Sequence, residues 1–209
     1  MQRTVEPEIL DDLPADNPEA IRSRADLRVL NRLIGGEAWI VRELHELKGV
    51  KRVVELGAGE GLLATAICEQ FSELEVCAVD LVERPAGMHD RAQWLQANVL
   101  ESELPIDDET VVVVNLFLHH LKHEQLVILV NRLKDAKALL FAEPARRPYA
   151  LVLGYFAYPF VGRVTKHDMM VSIRAGFVAG ELEAYFSENF QWVEVTHWMG
   201  GLRSKAVKA

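Results

Sequence analysis

The residues of this chain best suited to chemistry are an acid and three glycines at alternate positions. Glu55 stands two residues before Gly57, and glycines recur at Gly59 and Gly61. Glycine tolerates backbone conformations that other residues resist, and it lets a ligand approach the main chain closely. An apolar run precedes this segment and a helical pattern follows it, so the free N–H groups of a helix start lie beside the turn. The combination predicts a binding turn for a nucleotide-like cofactor.

A second acid, Asp80, ends the next predicted strand roughly twenty residues after the glycines, where dinucleotide-binding chains carry a ribose-binding acid. A carboxylate at that position can accept hydrogen bonds from both ribose hydroxyls. The dinucleotide fingerprint G-x-G-x-x-G is itself not matched, because Gly61 comes one position early. Considered alone, Asp80 could equally cap a helix, and the glycines could form a turn without a ligand.

Two histidines, His119 and His120, follow the fourth predicted strand within the segment Asn115–Leu121. An imidazole has a pKa suited to removing a proton from a hydroxyl or an acidic carbon near neutral pH. Either histidine could instead cap or pack at the strand end. His167 and Asp168 form a second candidate acid–base pair, with a solvent-exposed turn as the alternative.

Composition narrows the class of protein. A chain of 209 residues, 50% hydrophobic and 26% charged, suits one soluble domain with a substantial core. The net charge of −8 argues against a broad nucleic-acid-binding surface. Cys68 and Cys77 lie in helix and strand patterns, so we expect buried free thiols. No spacing of histidine, cysteine or acids resembles a zinc or iron site, and we expect no metal.

The start of the chain lacks an apolar signal core, so we expect a cytoplasmic protein without a membrane span. An apolar run at 149–162 is too short to cross a bilayer and contains Pro159. Three interpretations of this run stay open: an element packed over the core, a cover for an apolar substrate, or a membrane-surface contact.

The candidate residues need a scaffold that brings strand ends together, and strand and helix patterns alternate from residue 52 onward. Strands are predicted at 52–56, 76–79, 93–96, 111–115 and 138–142, with helices at 62–71 and 123–134. The run of valines at 111–114 is typical of a fully buried parallel strand. Two helices precede the first strand, because Asn17 and Pro18 signal a helix start and Gly35–Gly36 interrupts the pattern. Residues 1–17 are predicted to form an extended arm.

The end of the chain has a different pattern. A helix near 179–186 leads to strands at 191–197 and 202–207, and Gly200–Gly201 joins them as a hairpin. The sequence predicts an α/β fold: a Rossmann-like doubly wound sheet, mostly parallel, with a C-terminal antiparallel hairpin and N-terminal helices in front. We expect a single domain over residues 1–209 with four segments, namely a helical cap at 1–50, a cofactor-binding core at 51–143, a substrate-cover insertion at 144–178, and the final helix and hairpin at 179–209.

At Glu55–Gly61 the chain resembles the class I S-adenosylmethionine (SAM)-dependent methyltransferases, whose first motif is an acid followed by alternating glycines. The resemblance covers residues 35–143, and the antiparallel tail and the two leading helices also match the family. It implies SAM as cofactor and S-adenosylhomocysteine (SAH) as product. It also implies that the final hairpin lies beside the fifth strand.

The resemblance assigns the methionine part of SAM to the glycine turn. Gly57, Ala58 and Gly59 would pass under it, and Glu55 would help hold its ammonium group, directly or through water. Asn115 stands where the family contacts the methionine group and the substrate.

The resemblance assigns the nucleoside part of SAM to the following strand ends. Asp80 would bind the ribose and Leu81 would pack on the adenine. Asn98 and Val99 match the family's acidic motif that contacts the adenine amino group, with Asn98 in place of the commoner Asp. An asparagine oxygen can still accept that hydrogen bond.

The segment around His119 and His120 resembles the LHHL turn of small-molecule methyltransferases, including the quinone-biosynthesis type. It implies methyl transfer to a hydroxyl or activated carbon of an apolar small molecule: phenolic, quinone-like or polyketide-like. Three alternatives stay open: a non-catalytic SAM-binding protein, an NAD-dependent oxidoreductase, and a protein or RNA methyltransferase. We expect no nucleic-acid partner. The oligomeric state, monomer or homodimer, is left open by the sequence.

Overall fold

The computed structural model describes residues 1–186 and 189–209, so Ser187 and Glu188 of the predicted final segment lie outside the described residues. The strands are β1 Arg52–Leu56, β2 Glu75–Asp80, β3 Gln93–Gln96, β4 Thr110–Asn115, β5 Ala138–Pro144, β6 Phe190–Thr196 and β7 Gly201–Lys208. The α-helices are α1 Pro18–Ile34, α2 Gly36–Glu46, α3 Leu62–Gln70, α4 His123–Leu133, α5 Pro148–Ala157, α6 Arg163–Ala175 and α7 Glu183–Phe186. Short 3₁₀ turns cover Leu10–Asp12, Leu118–His120 and Tyr158–Phe160.

The strands form one sheet in the order β3-β2-β1-β4-β5-β7-β6. The first five strands pair in parallel, and β7 runs antiparallel to both β5 and β6. The predicted fold class is therefore confirmed, with the hairpin beside the fifth strand. Strand order reverses between β1 and β4, and ligands of such sheets bind outside the carboxyl ends of the strands at this point.

Apolar layers cover both faces of the sheet. The middle of β4 is completely buried, as its run of valines predicts. One layer packs α4 and α7 against the sheet, and the other packs α2 and α3. Cys68 and Cys77 are buried free thiols in these layers, as predicted. With both faces occupied, the carboxyl ends of the strands are held in fixed register.

The N-terminal helices begin and end where the sequence predicts. The side-chain oxygen of Asn17 accepts a hydrogen bond from the Glu19 N–H at 2.8 Å, and Pro18 is the first residue of α1. Gly35 ends α1 in the left-handed region with φ of 69°, which suits glycine. The arm before α1 is more structured than predicted, because it contains the turn Leu10–Asp12 and packs along α6.

Residues 163–175 rule out the solvent-exposed turn, which was the alternative to an acid–base pair at His167 and Asp168. They form α6, and most side chains on one face of it are buried. Val164, Val171 and Ala175, seven and four residues apart, recur with a helical period on that face, so the apolar pattern buries the segment in spite of its polar residues.

The apolar run at 149–162 forms α5 and the turn after it. Its large side chains include several that are exposed: Tyr149, Val152, Tyr155, Phe156 and Phe160. Gly154 lies against α6, where a β-carbon would be 3.0 Å from Met170 Cε. α5 thus packs on α6 and leaves an apolar surface open. Among the described residues, no helix has the length and apolar character needed to cross a membrane.

Gly36 fixes α2 against the sheet and offers a test of this packing. A β-carbon on Gly36 would lie 2.5 Å from Asn115 Oδ1 and 3.0 Å from Ala142 Cβ. We expect Gly36→Ala to lower the free energy of unfolding by about 1–3 kcal/mol, because the helix must shift to relieve the overlap. Urea denaturation followed by circular dichroism measures it. Glu46→Ala, at the exposed end of α2, is the matched control, and equal stability of the two variants would contradict the close packing.

Candidate functional site

The glycine turn after β1 is tied to the end of β2. Gly57, Gly59 and Gly61 all have positive φ angles, of 67°, 52° and 69°. The N–H groups of Gly57 and Ala58 donate to the Val79 carbonyl, and the Gly59 N–H donates to Asp80 Oδ2 at 2.7 Å. The turn and the acid that were predicted separately therefore form one unit at the edge of the sheet.

The three glycines differ in what faces them. A β-carbon on Gly57 would lie 2.3 Å from Phe117 Cγ, so the Phe117 ring covers that part of the main chain. A β-carbon on Gly61 would lie 3.0 Å from Met88 Sδ, whereas nothing lies within 4 Å at Gly59. A ligand can therefore reach the turn at Gly59, directly beside Asp80. The sequence analysis missed Phe117, because its contact with Gly57 joins two separate strand ends.

The surface next to Asp80 is apolar and open. Asp80 is half-buried, and its Oδ1 accepts a hydrogen bond from the Val82 N–H at 3.2 Å. Leu81 is 69% exposed, and Val82 is also exposed. Exposed apolar side chains beside a carboxylate suit a flat base attached to a sugar. Asn98 lies at the end of β3, where its oxygen accepts from the Leu100 N–H, and Val99 is buried in the core.

Glu55 lies underneath the glycine turn and is only 3% exposed. Its Oε2 accepts a hydrogen bond from the Ala64 N–H in the first turn of α3 at 2.9 Å. Burial raises the pKa of Glu55 to about 8, although the Ala64 hydrogen bond acts in the opposite direction. The structure gives Glu55 a contact that holds α3 to the turn, and its contact with a ligand ammonium stays a prediction.

Asn115 ends β4 beside a small cavity of about 10 Å³, roughly the space of one water molecule. Its polar lining includes Asn31, Glu143 and Arg203. The next residue, Leu116, has a φ of 59°, a conformation in which other described non-glycine residues are not found. This strained residue turns the chain sharply away from the strand, as is common near functional sites.

Glu143 at the end of β5 holds the segment that follows Leu116. One carboxylate oxygen accepts from the N–H groups of Phe117 and Leu118 at 2.9 and 2.7 Å. The other lies 2.7 Å from His119 Nδ1 and 3.3 Å from the His119 N–H. Because a carboxylate only accepts, His119 Nδ1 carries the proton, and the Nε2 atom is directed away from Glu143.

On its far side, His119 meets Glu8 from the N-terminal arm. Nε2 of His119 and Oε1 of Glu8 are 3.7 Å apart, and both side chains are nearly completely buried. Burial alone would lower the pKa of His119. The contacts with Glu143 and Glu8 outweigh burial and raise this pKa to about 9. The ring of His120 lies 4.2 Å from that of His119, and burial together with His119 lowers the pKa of His120.

The arm is anchored over the two histidines by polar contacts. Arg3 donates to the carbonyls of His119 and Leu121 at 3.1 and 2.8 Å. The buried Asp168 accepts from the N–H groups of Ile9 and Leu10 at 2.8 and 3.0 Å. Sequence reasoning missed these contacts, because isolated charges in an acidic arm give no signal of what they meet.

The predicted His167, together with two arginines of α6 and α1, lies at a more exposed position. His167 Nδ1 lies 2.8 Å from Asp168 Oδ1, so the expected pair forms, with His167 about half exposed. Arg174 is exposed at the end of α6. Arg28 of α1 pairs with Glu60 of the glycine turn through two hydrogen bonds, which links α1 to the turn.

Several solved structures share this architecture. The plantazolicin methyltransferase BamL, in complex with triazolic desmethylPZN analog and SAH, has a TM-score of 0.74 at 11% identity, over 95% of this chain and 92% of that chain. The methyltransferase SibL in its apo form has a TM-score of 0.68 at 13% identity, over 98% and 63%. Human N-acetylserotonin methyltransferase in complex with SAM has a TM-score of 0.61 at 15% identity, over 95% and 61%.

No protein-family model matches the sequence, and no curated protein matches it significantly. At sequence identities of 11–15%, these comparisons establish a shared fold and nothing beyond it. The chain has the fold of class I SAM-dependent methyltransferases, with the glycine turn, the acid after β2 and the antiparallel hairpin in their expected places.

The buried Glu55 predicts a pH dependence of stability. Its folded pKa of about 8 lies above its ordinary value of 4.5, so between these values the folded chain holds a proton that the unfolded chain has lost. The free energy of unfolding should therefore fall as pH rises from 5 to 8, on the order of a few kcal/mol. Denaturation at several pH values should show a smaller fall in Glu55→Gln and an unchanged fall in Glu69→Gln, an exposed position on α3. Parallel curves for Glu55→Gln and the wild type would contradict the assignment.

Proposed function

We propose that this protein transfers a methyl group from SAM to a hydroxyl or activated carbon of an apolar small molecule. The observation that carries the proposal is the glycine turn at the switch point of the sheet, open at Gly59 and joined to Asp80 at 2.7 Å. The shared fold with BamL and N-acetylserotonin methyltransferase, whose structures contain SAH and SAM, supports the choice of cofactor.

The nucleoside part of SAM fits the open surface after β2. One carboxylate oxygen of Asp80 accepts a hydrogen bond from the Gly59 N–H, and the other accepts one from the Val82 N–H. Each oxygen can accept a further hydrogen bond from a ribose hydroxyl. Leu81 would pack on the adenine, and Asn98 and Val99 would border it. The exposure of Leu81 supports this assignment, because burying its apolar side chain under the adenine would contribute favourably to the binding free energy.

The methionine part of SAM would lie along Gly57, Ala58 and Gly59, with Glu55 beneath and Asn115 at its end. The ring of Phe117 now rests on Gly57, so it must turn aside when the methionine part binds. We propose that this movement couples cofactor binding to the segment that carries His119 and His120.

The acceptor side supports an apolar substrate. SAM supplies an electrophilic methyl on sulfur, and the protein then contributes mainly alignment of the acceptor atom with that methyl. The exposed apolar side chains of α5 and Trp198 in the hairpin supply a surface for an apolar acceptor. His119, His120 and His167 are our candidates for contact with the acceptor. Access to the first two requires the arm to move, because Arg3 and Glu8 cover them.

The alternatives are less well supported. An NAD-dependent oxidoreductase would need the dinucleotide glycine spacing, which Gly61 breaks, and its fold would lack the hairpin formed by β6 and β7. A non-catalytic SAM-binding protein would share the cofactor site, so measured turnover separates it from an enzyme. We keep the single-domain organisation, the cytoplasmic location and the absence of a nucleic-acid partner as expectations.

Calorimetric titration tests the cofactor. We expect the wild-type chain to bind SAH, and we expect Asp80→Ala to weaken binding by about tenfold to a hundredfold, the loss of hydrogen bonds to a charged acceptor. Asp90→Ala, at an exposed position before β3, is the matched control and should bind like the wild type. The cofactor assignment fails if SAH does not bind or if NAD binds in its place, and equal affinity of both variants removes Asp80 from the site.

Transfer of labelled methyl from SAM to a panel of acceptors tests the substrate class. We expect phenolic and quinone-like compounds to be methylated and expect added charges on them to lower kcat/KM, because apolar surface must be buried. Phe156→Ser should raise KM severalfold without changing SAH affinity, whereas Val127→Ser, at a less exposed apolar position on α4, should leave KM unchanged. Methylation confined to peptides or RNA would contradict the proposed acceptor class.

A further inference from the structure

Three metal-binding side chains converge where the arm meets the turn after β4. Glu8, His119 and His120 each offer one ligand atom, and these atoms lie within 4.8 Å of one another. Glu8 and His119 are buried and His120 is half-buried. No sequence pattern indicates this group, because its carboxylate comes from the arm and its imidazoles come from the middle of the chain.

The orientation of His119 is that of a metal ligand. Its Nδ1–H is donated to Glu143 at 2.7 Å, which fixes the tautomer and directs Nε2 toward Glu8. A carboxylate behind a ligating histidine is the usual arrangement at zinc sites. Glu143 is itself fixed by the N–H groups of Phe117 and Leu118, so this ring has little freedom to turn.

The spacing of the opposing atoms also fits an ion between them. His119 Nε2 and Glu8 Oε1 are 3.7 Å apart, which is too long for a hydrogen bond. Two ligands of one tetrahedral zinc ion, with bonds of 2.0–2.1 Å, are about 3.3 Å apart. A small inward movement of the Glu8 carboxylate would bring the pair to that separation.

The surroundings favour a cation. The carboxylates of Glu8, Glu143, Asp11 and Asp168 lie around the histidines, and Arg3 is the cation that faces them from the arm. Burial, together with the carboxylates of Glu8 and Asp168, raises the pKa of Asp11 to about 6, as expected where negative charge accumulates. The hydroxyl of Ser172 holds the other side of this group by donating to Glu8 Oε1.

We propose that Glu8, His119 and His120 bind a divalent transition-metal ion, with Zn²⁺ as the best-fitting case. Two imidazole nitrogens and one carboxylate oxygen are donors typical of zinc, whereas magnesium and calcium prefer oxygen ligands. Three protein ligands leave one position of a tetrahedral ion for water or another oxygen ligand. Because Glu8 belongs to the arm, the ion would fasten the arm to the turn after β4. The site shares His119 and His120 with the proposed acceptor side, but zinc binding itself does not require SAM or methyl transfer.

Zinc titration of the full chain tests the proposal. The chain is purified without a histidine tag, stripped with a chelator and titrated with Zn²⁺ by calorimetry. We expect one ion per chain, a higher Tm in its presence, and at least tenfold weaker binding in Glu8→Gln and in His120→Ala. His45→Ala, on the exposed face of α2, is the control and should bind zinc like the wild type.

Two results would overturn the site: no stoichiometric zinc binding by the wild type, or binding that Glu8→Gln and His120→Ala leave unchanged. Glu8→Gln keeps the shape of the side chain, and circular dichroism checks that each variant folds. SAH affinity is measured on the same samples, so failure of the zinc site and failure of the cofactor site are read separately. Without an ion, His119 would instead be a protonated link between Glu8 and Glu143.

Discussion

The carboxylate of Glu143 is the contact on which the rest of the site depends. It lies at the carboxyl end of β5, and it gathers three main-chain N–H groups and the Nδ1 proton of His119. Its position follows from the pairing of β5 with β4 and β7, so the sheet register sets the height of the turn after Leu116. A buried carboxylate with so many donors is costly to replace, because each N–H would be left unsatisfied. Glu8 of the arm then faces His119, the ring that Glu143 orients.

Phe117 joins this half of the site to the glycine turn. Its N–H donates to Glu143, while its ring covers Gly57. The main chain of Phe117 is thus held beside the histidines, and its side chain lies on the proposed cofactor-binding turn. The left-handed conformation of Leu116 makes this possible, because it turns the chain from β4 back toward β1. Phe117 thus provides a direct physical link between the turn held by Glu143 and the glycine turn.

The fold could be predicted from the sequence because its signals are local. The valines of β4, the Asn17–Pro18 start of α1 and the glycines of the turn each act within a few residues. The glycine turn and Asp80 were each predicted as cofactor-binding positions, but the hydrogen bond between Gly59 and Asp80 was not. The group around Glu143 could not be predicted in this way, since it joins residues from the arm, β4 and β5 that have no common pattern. For α6 the sequence left an acid–base pair and an exposed turn open, because its polar residues mask the apolar period that buries one face of the helix.

The arm has a consequence for how the chain folds during synthesis. Arg3 donates to the carbonyl of Ala175 at 2.7 Å, and the two residues are 172 positions apart. Contacts between such distant segments form late, because a long loop must close before they contribute. On the ribosome, the arm emerges before α6 and cannot make this contact until α6 has been made. The surface around the two histidines can therefore be completed only after β1 to β5 have emerged, whereas β6 and β7 are made later than α6.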